Sequence, residues 1–218
     1  VREYKFEIEV YSYIEEFVKN TSKEVNYTTE LEDALVNSTI TFIGVLTNKS
    51  ILINNSALII VNSSIYNCTF KLSRDSHLVL INSILSYSYI SPVDYFLSHI
   101  IIYNTTVSDS IISAYNTHIV RSDVTDSRLG NFSWSEFSGI LFSNIINVTI
   151  LTCLVNLTGT KTKNSIIHSY DLAIIYSNIT NMNFTSEGDV SILSSIVVES
   201  IVFLFMNVLF ETLLHIAF

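Results

Sequence analysis

The sequence predicts an all-β protein, a right-handed parallel β-helix of about eight to nine rungs behind an N-terminal capping or exchanging segment. Three observations predict it. Short β-branched apolar runs recur roughly every twenty residues. The corners between them are polar yet nearly free of glycine. The chain is 49% hydrophobic and only 14% charged, so it can bury a large core but has few charges to wet its surface.

Composition narrows the choice of β fold. Ordinary soluble domains carry about 25% charged residues; here Ser, Thr and Asn, with 31, 19 and 20 copies among 218 residues, take their place. Gly appears 5 times and Pro once. Hairpin-rich sandwiches need Gly, Asn-Gly or Asp-Gly in their tight turns, and neither dipeptide occurs. Turns must therefore come from Asn, Ser, Asp and Thr. The net charge of −9, with no Lys or Arg after Lys163, argues against a nucleic-acid partner.

The rhythm is three or four aliphatics, then Asn or Ser, then another apolar residue two or three places on. It reads Leu58-Ile59-Ile60-Val61-Asn62, Leu78-Val79-Leu80-Ile81-Asn82 and Ile100-Ile101-Ile102-Tyr103-Asn104. It returns before Ser122, Ser143, Ser177 and Ser194. The wide gap from Ser143 to Ser177 is filled by a degenerate copy, Thr149 to Asn156. A second strand follows each run, as in Ile65 to Phe70 or Ile84 to Ile90, alternating in period two like a half-buried strand. One such rung cannot bury its apolar face alone, so rungs must stack.

This aliphatic-Asn/Ser-aliphatic rhythm, over about four-fifths of the chain, resembles the right-handed parallel β-helix superfamily, the pectate-lyase-like solenoids. The resemblance implies a fold rather than an activity. It also implies an internal Asn ladder at one corner, where Asn62, Asn82 and Asn104 sit. A laddered Asn is buried and cannot carry a glycan. Asn82 is thus the expected ladder residue, while Asn62 and Asn104 stay open between the two roles.

N-glycosylation acceptors, Asn-X-Ser/Thr, are in excess. They lie at Asn20, Asn26, Asn37, Asn48, Asn54, Asn62, Asn67, Asn104, Asn131, Asn147, Asn156, Asn178 and Asn183. Chance pairing would give roughly 4 to 5. Covalent N-glycans would supply the missing solubility, and the expected location is extracellular or at the cell surface. The opposing reading is that turn formers cluster at corners.

The ends differ from the middle. Residues 1–36 form the expected cap or strand-exchange segment, and 37–218 the solenoid domain. Tyr4, Phe6, Ile8 and Val10 alternate as a one-sided strand; Ile14, Phe17 and Val18, then Leu31, Leu35 and Val36, suggest helical turns. This element caps its own first rung or pairs with a neighbouring chain. Residues 201–218 are nearly all apolar. They read as a last rung open to the next subunit, as packing on the same chain, or as a membrane anchor; Glu211 in mid-span argues against the anchor.

Chemistry is sparse. The best polar cluster is Arg121, Asp123, Asp126 and Arg128 with Asp109, a carboxylate pair or cation site, or else a solvated corner. His77, His99 and His118 fall one rung apart and are expected in one column, as a metal site or as a repeated corner residue. Cys68 and Cys153 lie about four rungs apart, too far for a disulfide, and are expected to be buried thiols. An exposed row of Tyr with Trp134 would suit glycans; the opposing reading of these aromatics is core and surface packing within the solenoid. No Gly-rich phosphate loop, zinc-spaced Cys pair or nucleophile elbow is present. The expectation is no catalytic residue, no metal and no cofactor. An uncapped apolar end invites pairing with another chain, and a contact that does not close on itself gives a fibre. The leading expectation is a head-to-tail homo-oligomer, a structural subunit of a glycosylated extracellular filament or lattice, similar in style to archaeal surface filament proteins. The alternatives are a carbohydrate-binding, adhesion or viral-fibre module and, behind these, a polysaccharide lyase or hydrolase.

Overall fold

A computed structural model describes residues 27–28, 30–93, 98–131, 137–204, 208–211 and 215–217. The expected strand and helical turns of residues 4–18, Asn20, Asn26 and Trp134 lie outside the described residues. Within them the chain is a parallel β-solenoid of about nine turns, without helix.

One rung shows the plan. A long strand, Ala57–Val61, turns a corner into a three-residue strand, Ser64–Tyr66, and a second corner leads to a return strand, Thr69–Leu72. The next rung repeats it with Ser76–Ile81, Ile84–Ser86 and Tyr89–Pro92. Every strand pairs in parallel with its counterpart one rung away: Leu58 with Leu78, Ile65 with Leu85, Phe70 with Ile90. Three faces result, here called long, short and return. Among the described residues the short face alone stacks ten strands.

Strands this short bury one side chain each. On the short face that residue is the middle one, and Leu46, Ile65, Leu85, Val107, Val124 and Ile145 stack in one column. All are buried, and they belong to one continuous core with the inward residues of the other faces. The long face is apolar on both sides. Ile59, Val61, Val79 and Ile81 point away from that core yet are only 3–6% exposed, forming a separate cluster. That explains the unbroken aliphatic runs: a strand buried on both faces needs no alternation.

The corners explain the scarcity of glycine. Among the described residues nineteen non-glycine residues hold a positive φ near 50°, and thirteen of them are Asn or Asp, the side chains that best tolerate this left-handed region. At most of these corners, though not at Asn48, whose following Lys49 is exposed, the left-handed residue is followed by a buried one, usually small. At the long-to-short corner these are Ser63, Ser83, Thr105, Ser122, Ser143, Thr160, Ser177 and Ser195, each at most 5% exposed. The Ser63 N–H donates to Ser83 Oγ (3.2 Å), the Ser83 N–H to Thr105 Oγ1 (3.2 Å), and the Thr105 N–H to Ser122 Oγ (3.1 Å). Seven of these eight hydroxyls in turn donate to the carbonyl two residues back, as Ser83 does to Ile81 at 2.7 Å; Thr160 Oγ1 donates to Ser177 Oγ at 3.2 Å. One hydroxyl thereby satisfies an N–H that the turn would otherwise bury unpaired, and it adds a second bond to a carbonyl that already accepts from a corner N–H one rung away, as Ile81 does from Asn62 at 3.0 Å. The second corner repeats the device with Ser88, Ser110 and Ser127.

Three expectations are corrected here. The internal ladder is made of Ser and Thr, one residue after the asparagines; Asn62, Asn82 and Asn104 all face solvent. The copy expected at 149–156 turns instead at Gly159-Thr160, because Thr149–Thr158 runs straight from the return face into the long face. This loopless passage shortens the rung to 17 residues, as between Val148 and Ser165, against 22 between Ser83 and Thr105. Finally, Ala34–Val36 is a strand paired with Leu52–Asn54, not a helical turn, so rung pairing begins before residue 37.

Candidate functional site

The outer side of the corners gathers most of the residues singled out in the sequence. Asn37, Asn48, Asn62, Asn67, Asn104 and Asn147 each hold a positive φ and face solvent. After Asn62, Asn67, Asn104 and Asn147 the next residue is buried, after Asn37 it is half-buried and after Asn48 it is the exposed Lys49; in all six the one after that starts a strand: Thr39, Ser50, Ser64, Thr69, Thr106 and Thr149. A left-handed Asn followed two places on by a strand-opening Ser or Thr is itself an acceptor motif. Corner geometry therefore accounts for part of the excess over chance.

The other acceptors are placed differently. Asn178 and Asn183 open strands on the short and return faces and are exposed. Asn54 and Asn131 are half-buried. Asn156 is only 8% exposed, and its Oδ1 accepts a hydrogen bond from Thr158 Oγ1 at 3.0 Å, so on the folded chain its amide is shielded.

Between rungs, corner amides bond to one another. Asn67 Nδ2 donates to Asn48 Oδ1 (2.7 Å), Asn104 Nδ2 to Asn82 Oδ1 (2.8 Å) and Asn181 Nδ2 to Asn164 Oδ1 (2.9 Å). Asn147 Nδ2 donates to the Asp126 carboxylate at 2.5 Å, the stronger kind of bond because its acceptor is charged. These are outer ladders, exposed counterparts of the buried hydroxyl ladder.

The polar cluster around residues 109–128 is divided by the fold. Arg121 lies at the long-to-short corner and donates to Tyr103 Oη (3.3 Å). Asp123 lies on the short face and accepts from Asn144 Nδ2 (2.6 Å). Asp109 and Asp126 occupy successive turns of the short-to-return corner, beside Arg128, in a shallow groove that Tyr87 and Asn147 also line. Tyr87 packs edge-to-face on Tyr66, ring centroids 5.2 Å apart, and both rings are about half exposed. The sequence offers a Tyr row as one reading of its aromatics but does not reveal that these two meet.

The histidines do not form one column. His77 and His99 stack, centroids 5.0 Å apart and 11° from parallel. The next residue in that column is Asn116, whose amide lies 3.4 Å from His99 Nδ1. His118 is two residues further along, level with Ile101. The rung between them is shorter than the spacing of the first pair implied. Burial lowers the His118 pKa to about 4, helped by the nearby His99, and lowers that of His99, with His77 adding to the effect and Asp75 opposing it. Among the described residues no three His, Cys, Asp or Glu side chains group closely enough to hold a metal ion.

Both thiols are unpaired, but only Cys68 is buried; Cys153 is exposed, which corrects the expectation of two buried thiols. Cys68 occupies a corner position that Ser88, Ser110 and Ser127 hold in the next three rungs, and burial pushes its thiol pKa up. Among the described residues no helix is long and apolar enough to cross a membrane. No protein family and no curated protein matches the chain.

Proposed function

We propose that the chain is a structural subunit of an extracellular, glycosylated filament or surface lattice, assembling head to tail through the ends of its solenoid. One observation carries the reading. The last strands of the three faces, Ile201–Leu204, Val208–Glu211 and His215–Ala217, are each paired on one side only among the described residues. A sheet edge of this kind is a template for another strand, and every pair in the solenoid is parallel, so a second copy could extend all three faces in the same direction. Eight exposed acceptor asparagines support the glycosylated surface. Electron microscopy of the native secreted protein tests the reading. Fibres whose subunit rise matches the rung count support it; discrete monomers or closed trimers at all concentrations sink it.

A second reading, a carbohydrate-binding or adhesion module, is favoured by the exposed Tyr66–Tyr87 pair beside its groove. Monomers that adhere to a glycan-coated surface, and lose adhesion on Tyr87→Ala, would shift the weight to it.

A further inference from the structure

We propose that the corner columns carry N-glycans at most on alternate rungs, so that Asn48 and Asn67 exclude one another within a single molecule. The inference rests on the glycoprotein reading above and adds a rule of occupancy to it.

The rule follows from spacing. Left-handed corner residues of successive rungs stand one strand spacing apart, about 4.8 Å. Asn67 Nδ2 and Asn48 Oδ1 are already in contact at 2.7 Å. A hexose with its hydration is wider than one rung, and both sugars would leave the same corner in the same direction. Two glycans on these neighbours would have to share one space. Two rungs give about twice the room, and that is how the acceptors of the other column fall. Asn62 and Asn104 are acceptors, and Asn82 between them has Ile84 where the motif needs Ser or Thr. The ladder partner of Asn104 is this Asn82, and that of Asn147 is Asp126. Neither partner is an acceptor. Among these corner contacts, Asn48 and Asn67 alone join two acceptors.

The chemistry is a glycosyl transfer from a lipid-linked sugar pyrophosphate. A bond forms between Nδ2 and the anomeric carbon. The bond from that carbon to the pyrophosphate oxygen breaks, and the pyrophosphate leaves with the electron pair. One amide proton passes to a base of the transferase. The other stays on Nδ2, so a single modified Asn can keep its ladder bond; a modified neighbour is what it cannot accommodate. Nothing of this kind protects Asn62 from Asn104, which are expected to be occupied together.

The test counts glycans by intact mass on the full chain secreted from a host with N-glycosylation. Ser50→Ala and Thr69→Ala remove the acceptors at 48 and 67 while leaving both asparagines in their turns, so folding is kept. Each single variant is expected to carry as many glycans as the parent, because the other site takes the sugar, and the double variant one fewer. Ser64→Ala and Thr106→Ala, which remove Asn62 and Asn104, are expected to lose one glycan each and two together. Additive losses from Ser50→Ala and Thr69→Ala, or a peptide set showing both sites filled in one molecule, overturn the exclusion and leave the glycoprotein reading intact. A chain with no sugar at any site overturns both.

Discussion

The ring of Phe142 lies across Gly159: a Cβ on Gly159 would stand 2.7 Å from Phe142 Cδ1, and Gly159 holds a φ of +62°. The two are corner residues of successive rungs, and Phe142 is itself left-handed. A ring replaces the usual Asn, and a residue without a side chain answers it. Gly159→Ala is expected to destabilise by about 2 kcal/mol, from backbone strain plus displacement of the ring. Phe142→Asn in the same background removes the collision but not the strain. Urea midpoints should therefore show partial recovery, and equal losses in both backgrounds would refute the pairing.

The buried hydroxyl ladder gives a second test. Ser83 is 4% exposed, accepts from the Ser63 N–H and donates to the Ile81 carbonyl. Ser83→Ala leaves the Ser63 N–H buried without that partner, while the Ile81 carbonyl keeps the Asn62 N–H, and is expected to cost about 2 kcal/mol. Ser83→Cys should cost less, since Cys68 fills the equivalent place at the other corner and its thiol points to the Tyr66 carbonyl. Chemical denaturation that ranks the two variants in the reverse order would contradict this account.

Left-handed corners occupied by other residues should be improvable. Glu199 holds a φ of 52° at an exposed turn. Glu199→Asn is expected to raise stability by about 0.5 kcal/mol, and Glu199→Gly by a similar or larger amount. Thermal unfolding that shows a loss in both variants would mean that the carboxylate makes a contact worth more than the strain.

Stability should fall in mild acid. The unfolded chain protonates His118 near its ordinary pKa of 6.5, whereas the folded chain resists until about 4. A lowered folded pKa means that stability is complete above pH 6.5 and is lost as pH falls toward 4. The expected loss is about 2 to 3 kcal/mol, with His99 adding in the same direction. Denaturant midpoints at pH 7.5 and pH 4.5 measure it. His118→Gln should shrink the difference, and an unchanged difference would assign the acid response to other groups.

The thiols should separate by accessibility. Cys153 is exposed and Cys68 buried with a raised pKa, so an aromatic disulfide reagent should titrate one thiol in the native protein and two after denaturation. Two fast thiols in the native state would mean that the short-to-return corner at Cys68 opens readily.

Much of the fold was legible because stacking forces each rung to repeat its apolar core. Leu58, Leu78 and Ile100 recur for that reason and could be aligned by eye. Register at the corners was harder. Asn62 and Ser122 look interchangeable in sequence, yet one is the exposed left-handed residue and the other the buried hydroxyl that follows it. A pattern that treats both as polar cannot tell inside from outside, and the ladder was therefore placed one residue early. The histidine column failed for a related cause. A spacing of about twenty residues predicts stacking only while rungs keep the same length, and the rung between His99 and His118 is two residues too short for them to meet. The acceptor asparagines were visible as a motif, but their pairing across rungs appears only once the rungs are stacked.

The variation in rung length is confined to one side. Five residues separate Ser63 from Cys68, and the same five separate Ser83 from Ser88, Thr105 from Ser110, Ser122 from Ser127 and Ser177 from Met182. All the slack lies between the return and long faces, where a rung either loops out or runs straight through. Axial length therefore depends on how many corner pairs the chain contains, at about 4.8 Å each, and not on how many residues a rung consumes. The molecule is a ruler graduated in corners. Evolution, or an engineer, could lengthen it by copying one 17-residue graduation, or ornament one flank with inserted loops, without altering the spacing of the marks.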